Sequence, residues 1–199
     1  MSMKSMTRAL VTSLSVLVSG CGVASQGQSS SLVEIVSLAG GSVTESGKAP
    51  TFSQFLLSDV RTKGFVFDDL GQVTMIMHLK DPGTPVAANA PSALNDVTFT
   101  HYHVVYRRTD GRNIPGVDVP YAFDSAATFT VTSTNTTASF ELVRHVAKEE
   151  APLASLVVNN AVLITTIADV TFYGKDQGGK NVSVTGSIQV TFGDFADPS

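Results

Sequence analysis

At 199 residues the chain is long enough to bury a core without metals or disulfides, and its length suits one domain. A formal charge of −4 and a pI near 5.4 leave no electrostatic footprint for nucleic acid. The single cysteine excludes an internal disulfide, and 43 % apolar residues with little net charge exclude a disordered chain. Valine and threonine are abundant, which favours strands over helices.

The first eight residues are short and basic, with Lys4 and Arg8. Ala9 to Val18 is a brief apolar run, and Ser19, Gly20 and Cys21 follow. This order of charge, apolar run and small residues is that of a secretory signal. The apolar run is shorter than the roughly 20 residues a membrane-spanning helix needs. Losing residues 1–20 takes the formal charge from −4 to −6, since only Lys4 and Arg8 carry charge there.

The stretch Leu17-Val18-Ser19-Gly20-Cys21 resembles the lipobox of bacterial lipoproteins. The resemblance implies that the Cys21 thiol is alkylated with diacylglycerol, that the leader 1–20 is cut away, and that the new amine is acylated. The nucleophile for such chemistry is a thiolate. Acyl chains gain about 0.8 kcal/mol per buried methylene, so the anchor would be essentially permanent. Gly22 stands where an aspartate would imply inner-membrane retention, so the outer membrane is expected in a two-membrane cell. Residues 21–31, lipidated cysteine included, read as a small, polar, flexible linker ahead of a domain at 32–199.

In that domain, period-two alternation predicts strands. In chain order they are Leu32–Leu38, a short piece at Phe65–Phe67, Val73–Lys80, Val97–Arg107, Thr128–Thr132, Val162–Phe172 and Asn181–Phe192. Val73, Met75, Met77 and Leu79 share one face, as do Val162, Ile164, Ala168, Val170 and Phe172. Phe52–Val60 is open between helix and strand. Phe140–Glu150 is read as a strand at its start and as a charged turn or short helix before Pro152. Gly174–Asn181, with its paired glycines, predicts a hairpin turn. Asp81–Pro91 and Gly111–Pro120 read as Pro- and Gly-rich loops.

The aromatic strand with its turn (Thr100–Gly111) and the C-terminal hairpin (Ile167–Phe192) resemble an immunoglobulin or fibronectin-III type sandwich. The fold class expected is therefore all-β, an antiparallel immunoglobulin-like sandwich. The Cys…Trp…Cys hallmark of antibody domains is absent.

Chemistry-bearing residues are few. His101 and His103, two apart on a strand, share a face, but a zinc site needs three or four ligands and no third is evident. His78 and His145 lie far apart in sequence. Asp68, Asp69, Asp176, Asp194 and Asp197 are scattered acids without a calcium-loop pattern, and Asp176 suits the hairpin turn. Arg144, His145, Lys148, Glu149 and Glu150 read as a solvated charge run. The Asn135-Thr136-Thr137 and Asn181-Val182-Ser183 glycosylation patterns carry no weight in a bacterial protein. No nucleophile elbow, zincin motif, P-loop or dinucleotide fingerprint is present. The expectation is a non-catalytic lipoprotein without cofactor or metal, meeting an envelope protein or a glycan through its long loops. The alternatives are a periplasmic accessory factor for assembly or export, and a metal-binding or enzymatic protein using His101 and His103.

Overall fold

The computed structural model describes residues 28–44, 46–157, 159 and 161–195. Its strands are β1 (Ser31–Gly41), β2 (Phe55–Asp59), β3 (Asp69–Leu79), β4 (Val97–Arg107), β5 (Phe123–Val131), β6 (Thr136–Val143), β7 (Ile164–Asp176) and β8 (Asn181–Gly193). A short helix, α1 (His145–Glu149), lies between β6 and β7. The strands form two sheets, β1-β3-β6 and β2-β8-β7-β4-β5. This connectivity is an immunoglobulin-like sandwich, with β1, β3 and β6 as its A, B and E strands and β4, β5, β7 and β8 as C, C′, F and G. One pairing departs from the antiparallel expectation. β2 crosses to the second sheet and runs parallel to β8, from Phe55 opposite Gln189 to Asp59 opposite Gly193.

Alternation explains most of the core. Val73, Met75 and Met77 of β3 face Ala168, Val170 and Phe172 of β7 across the gap, all buried. β4 breaks the period. A bulge at Thr100 lets Val97 and Phe99 point inward before it, and Tyr102, Val104 and Tyr106 after it. In place of an inter-sheet disulfide, β4 reaches across with two phenols. Tyr106 Oη donates to the Leu142 carbonyl of β6 at 2.6 Å. Tyr102 Oη donates to the Glu141 carbonyl at 2.9 Å and accepts from the Glu141 N–H at 3.1 Å. Around Tyr102 the rings of Phe140 and Phe172 meet edge to face at 5.2 Å, adding aromatic packing to area burial.

Several boundaries differ from the sequence expectation. Phe65–Phe67 is no strand; Phe65 closes a turn on Thr62 through two 2.9 Å backbone bonds. β7 begins at Ile164, and the hairpin turn narrows to residues 177–180 because both strands extend inward. β5 starts at Phe123, five residues before expected, because β4 offers it a ladder. Phe52–Val60 resolves as strand, and Phe140–Glu150 as the end of β6 followed by α1.

The sandwich has two distinct ends. Ser31 pairs with Leu79, Ser31 Oγ donates to the Asn95 carbonyl at 2.6 Å, and Lys180 Nζ reaches Gln28 at 3.5 Å. The chain therefore enters beside the β3–β4 loop and the β7–β8 turn. At the far end lie the β2–β3, β4–β5 and β6–β7 connections, where Asp69 pairs with Val143 and Arg107 with Ile167.

Candidate functional site

The far end is built around a buried ion pair. Asp69 opens β3, and Lys148 projects from α1 so that its ammonium lies 2.9 Å from Asp69 Oδ2. Ser58 Oγ donates to the same oxygen at 2.6 Å, and Ser42 Oγ to Oδ1 at 2.9 Å. Burial pushes the Asp69 carboxyl upward, opposed by the Lys148 charge and the two hydroxyls. The expectation of a solvated charge run is corrected here, because Lys148 is sealed in the interior while His145, Glu149 and Glu150 are exposed. Helical spacing turns one residue of the run inward, and the buried acid draws it there.

Next to this pair, nearer solvent, stand Asp68, Glu141 and His145. Their ligand atoms lie within 4.8 Å of one another, the one such group of three among the described residues. His145 Nδ1 is 2.8 Å from Asp68 Oδ1, and the His145 backbone N–H donates to the same oxygen. Burial raises the Asp68 carboxyl, but the two His145 hydrogen bonds and one from Glu141 outweigh it, leaving it below its ordinary value. Glu141 is raised by burial, then by its hydrogen bond to Asp68 and the Asp68 charge. The N, O, O donor set of the three matches the protein ligand number of an open divalent-metal site, though the imidazole is already engaged. Arg144 beside it spreads its guanidinium 4.5 Å above the Phe123 ring.

The β4–β5 connection (108–122) is an ordered loop with apolar tips. The Ile114 carbonyl accepts from the Asp118 N–H at 2.8 Å, the Gly116 N–H donates to the Val119 carbonyl at 2.8 Å, and Asp118 caps the Ile114 N–H. Asp110 is clasped by Arg108 and Arg112, whose hydrogen bonds hold its carboxyl well below the usual range. On this frame Ile114 and Val117 are 62 % and 64 % exposed, with Tyr121 beside them. The loop thus holds three apolar side chains in fixed, exposed positions.

His101 and His103 do share the outer face of the five-stranded sheet. They are separately engaged. His101 stacks on Tyr173 with ring centroids 5.0 Å apart, and His103 Nδ1 lies 2.9 Å from Asp124. His101 and Tyr173 line an open groove of about 710 Å³ with Thr98, Thr100, Gln177 and Asn181. His78 pairs with Glu34 at 3.0 Å, at the opposite end of β3 from the His145 cluster. Asp176 accepts the Lys180 N–H at 2.8 Å and so closes the hairpin turn. The lipobox, Cys21 and Asp197 lie outside the described residues.

Sequence reasoning missed the Asp69–Lys148 pair and the two tyrosine bridges. The available signals were Tyr102 and Tyr106 at even spacing on one strand, and a lone lysine in a short helix closed by proline.

The fold and its two ends define an all-β, immunoglobulin-like sandwich with a sealed ionic clamp and an ordered apolar loop at one end. No known family, curated protein or solved structure matches the chain. No described helix is long and apolar enough to cross a membrane.

Proposed function

We propose that this protein is a lipid-anchored cell-envelope lipoprotein whose sandwich serves as a non-catalytic binding or structural module. The observation that carries this reading is the sole cysteine at position 21, closing a leader of charged, apolar and small residues, with nine residues between it and β1. The fold supports it by sending the chain in at one end, so that a tether there presents the other end outward. The β4–β5 loop with Ile114, Val117 and Tyr121 is then the surface offered to an envelope protein or glycan.

Mass spectrometry of the protein isolated from its envelope tests the anchor. The mature chain should begin at Cys21 and carry a thioether-linked diacylglyceryl group; a free thiol or a retained leader overturns the reading. Replacing residues 111–120 by a short Gly-Ser linker tests the loop. Folding should persist and partner recovery should fall; unchanged recovery removes this loop from the reading.

A second reading, an accessory factor for envelope assembly or export, is favoured by β6, which ends its sheet with β3 on one side. A free strand edge can accept an added strand. Crosslinks mapping to β6 and not to the loops would select it.

A further inference from the structure

The β3–β4 loop lies at the end where the chain enters, and its composition is unlike the rest of the surface. From Pro82 to Asn95 it holds no charged residue. It is not a slack connection. Thr84 and Ala87 exchange backbone hydrogen bonds at 3.0 and 3.1 Å, Gly83 bridges Ala88, and the Asn89 N–H donates to the Pro82 carbonyl at 3.0 Å. Gly83 has φ +78°, a conformation that glycine adopts at no steric cost. The result is a miniature hairpin with Pro85 and Val86 at its tip. A second turn, Ala93–Asn95, is closed by Asn95 Oδ1 accepting from the Ser92 N–H at 3.0 Å. These two frames hold Val86 at 97 % and Leu94 at 76 % exposure. An ordered, uncharged loop that displays two aliphatic tips is suited to meeting an apolar surface.

The position of the chain's entrance says what that is. Ser30 accepts the Lys80 N–H at 3.0 Å, and Ser31 is bonded to Asn95, so the last residues of the spacer are stitched to both ends of this loop. Nine residues separate Cys21 from Ser31. Gln28, held by Lys180 at this end, is only seven positions from Cys21, and even fully extended that stretch reaches at most about 25 Å. That is less than the roughly 35 Å length of an eleven-residue strand. A domain held so closely by this end turns the loop toward the membrane.

We propose that the β3–β4 loop is a lipid-contacting surface, seating Val86 and Leu94 in the headgroup region and setting the sandwich upright on the bilayer. The proposal rests on the anchor reading. It departs from the expectation that both long loops meet a partner: in this proposal the Asp81–Pro91 loop faces lipid and the Gly111–Pro120 loop faces outward. Two side chains do not anchor a protein by themselves; they orient one that is already tethered.

The chain has one cysteine and no tryptophan, which makes the test direct. The mature chain, Cys21–Ser199, is coupled through Cys21 to a maleimide-headgroup lipid in phosphatidylcholine vesicles. Val86→Trp, Leu94→Trp and, at the far end, Ile114→Trp supply single fluorophores. With brominated acyl chains, emission at 86 and 94 should shift to the blue and be quenched about twofold, as for residues about 5–10 Å into the interface. Emission at 114 should not change. Equal, weak quenching at all three positions overturns the proposal. So does a blue shift at 86 or 94 without bromine quenching, which would mean that protein covers the loop. Because the coupling is made by hand, this outcome is independent of the natural state of Cys21, which the mass of the envelope protein reads separately.

Discussion

The Lys148 ammonium and the Asp69 carboxylate meet at 2.9 Å in a site that water does not reach, and together they lock α1 against the first residue of β3. Removing one partner strands a buried charge. Lys148→Met should cost about 3–5 kcal/mol in urea unfolding. Replacing both, as Lys148→Met with Asp69→Leu, should recover much of that loss, since apolar groups of similar size need no partner. A single variant as stable as the parent would mean that the pair is not sealed.

The phenol of Tyr106 is buried, which pushes its ionisation far above the ordinary value, so it remains a donor at every physiological pH. Tyr106→Phe orphans the Leu142 carbonyl in the interior and should cost about 1–3 kcal/mol by chemical denaturation. Tyr102→Phe should cost less. Tyr102 is itself buried, but Glu141 is only half-buried, so water can take the place of the hydroxyl there.

Glu141 and Asp68 make stability depend on pH in a signed way. The Glu141 value is raised in the fold, so its contribution is complete below the ordinary carboxyl range and lost as pH rises through the folded value. The Asp68 value is lowered, so its contribution is present above the ordinary aspartate range and lost as pH falls through its folded value. Glu141→Gln keeps a donor to Asp68 without the charge. Calorimetry at pH 7 should show it more stable by up to about 1 kcal/mol, a small gain because both groups are partly solvated. The gain should vanish at acid pH, below the ordinary carboxylate range, where the parent Glu141 no longer carries its charge. A gain independent of pH would contradict the raised Glu141 value.

Gly174 sits beside the β4 bulge, where a Cβ would lie 2.3 Å from the Thr98 carbonyl oxygen. Backbone cannot step aside as a side chain can. Gly174→Ala should therefore destabilise by about 1–3 kcal/mol, read from the urea midpoint. Gly178→Ala, in the neighbouring turn, meets nothing closer than 3.2 Å and should be far milder.

The alternation of Ile164, Ala168, Val170 and Phe172 against Val182, Ile188, Val190 and Phe192 was enough to predict the C-terminal hairpin and the buried face of each strand. It was also enough for the all-β class, because period-two burial is a local property of a pleated chain. The leader, the sole cysteine and the resemblance that implies an anchor are likewise linear patterns. What pattern could not decide was everything that depends on partners distant in the chain. β5 is a strand because β4 borders it, β2 because β8 does, and Phe65–Phe67 is a turn for want of a neighbour. Lys148 reads as one charge in a charged run until the fold brings Asp69, Ser58 and Ser42 to it from three other segments. Which loop lies beside the point where the chain enters the domain and which lies opposite follows from strand pairing, whose contacts span dozens of residues. Local periodicity carries which way a side chain points; only the closed sandwich determines what it meets.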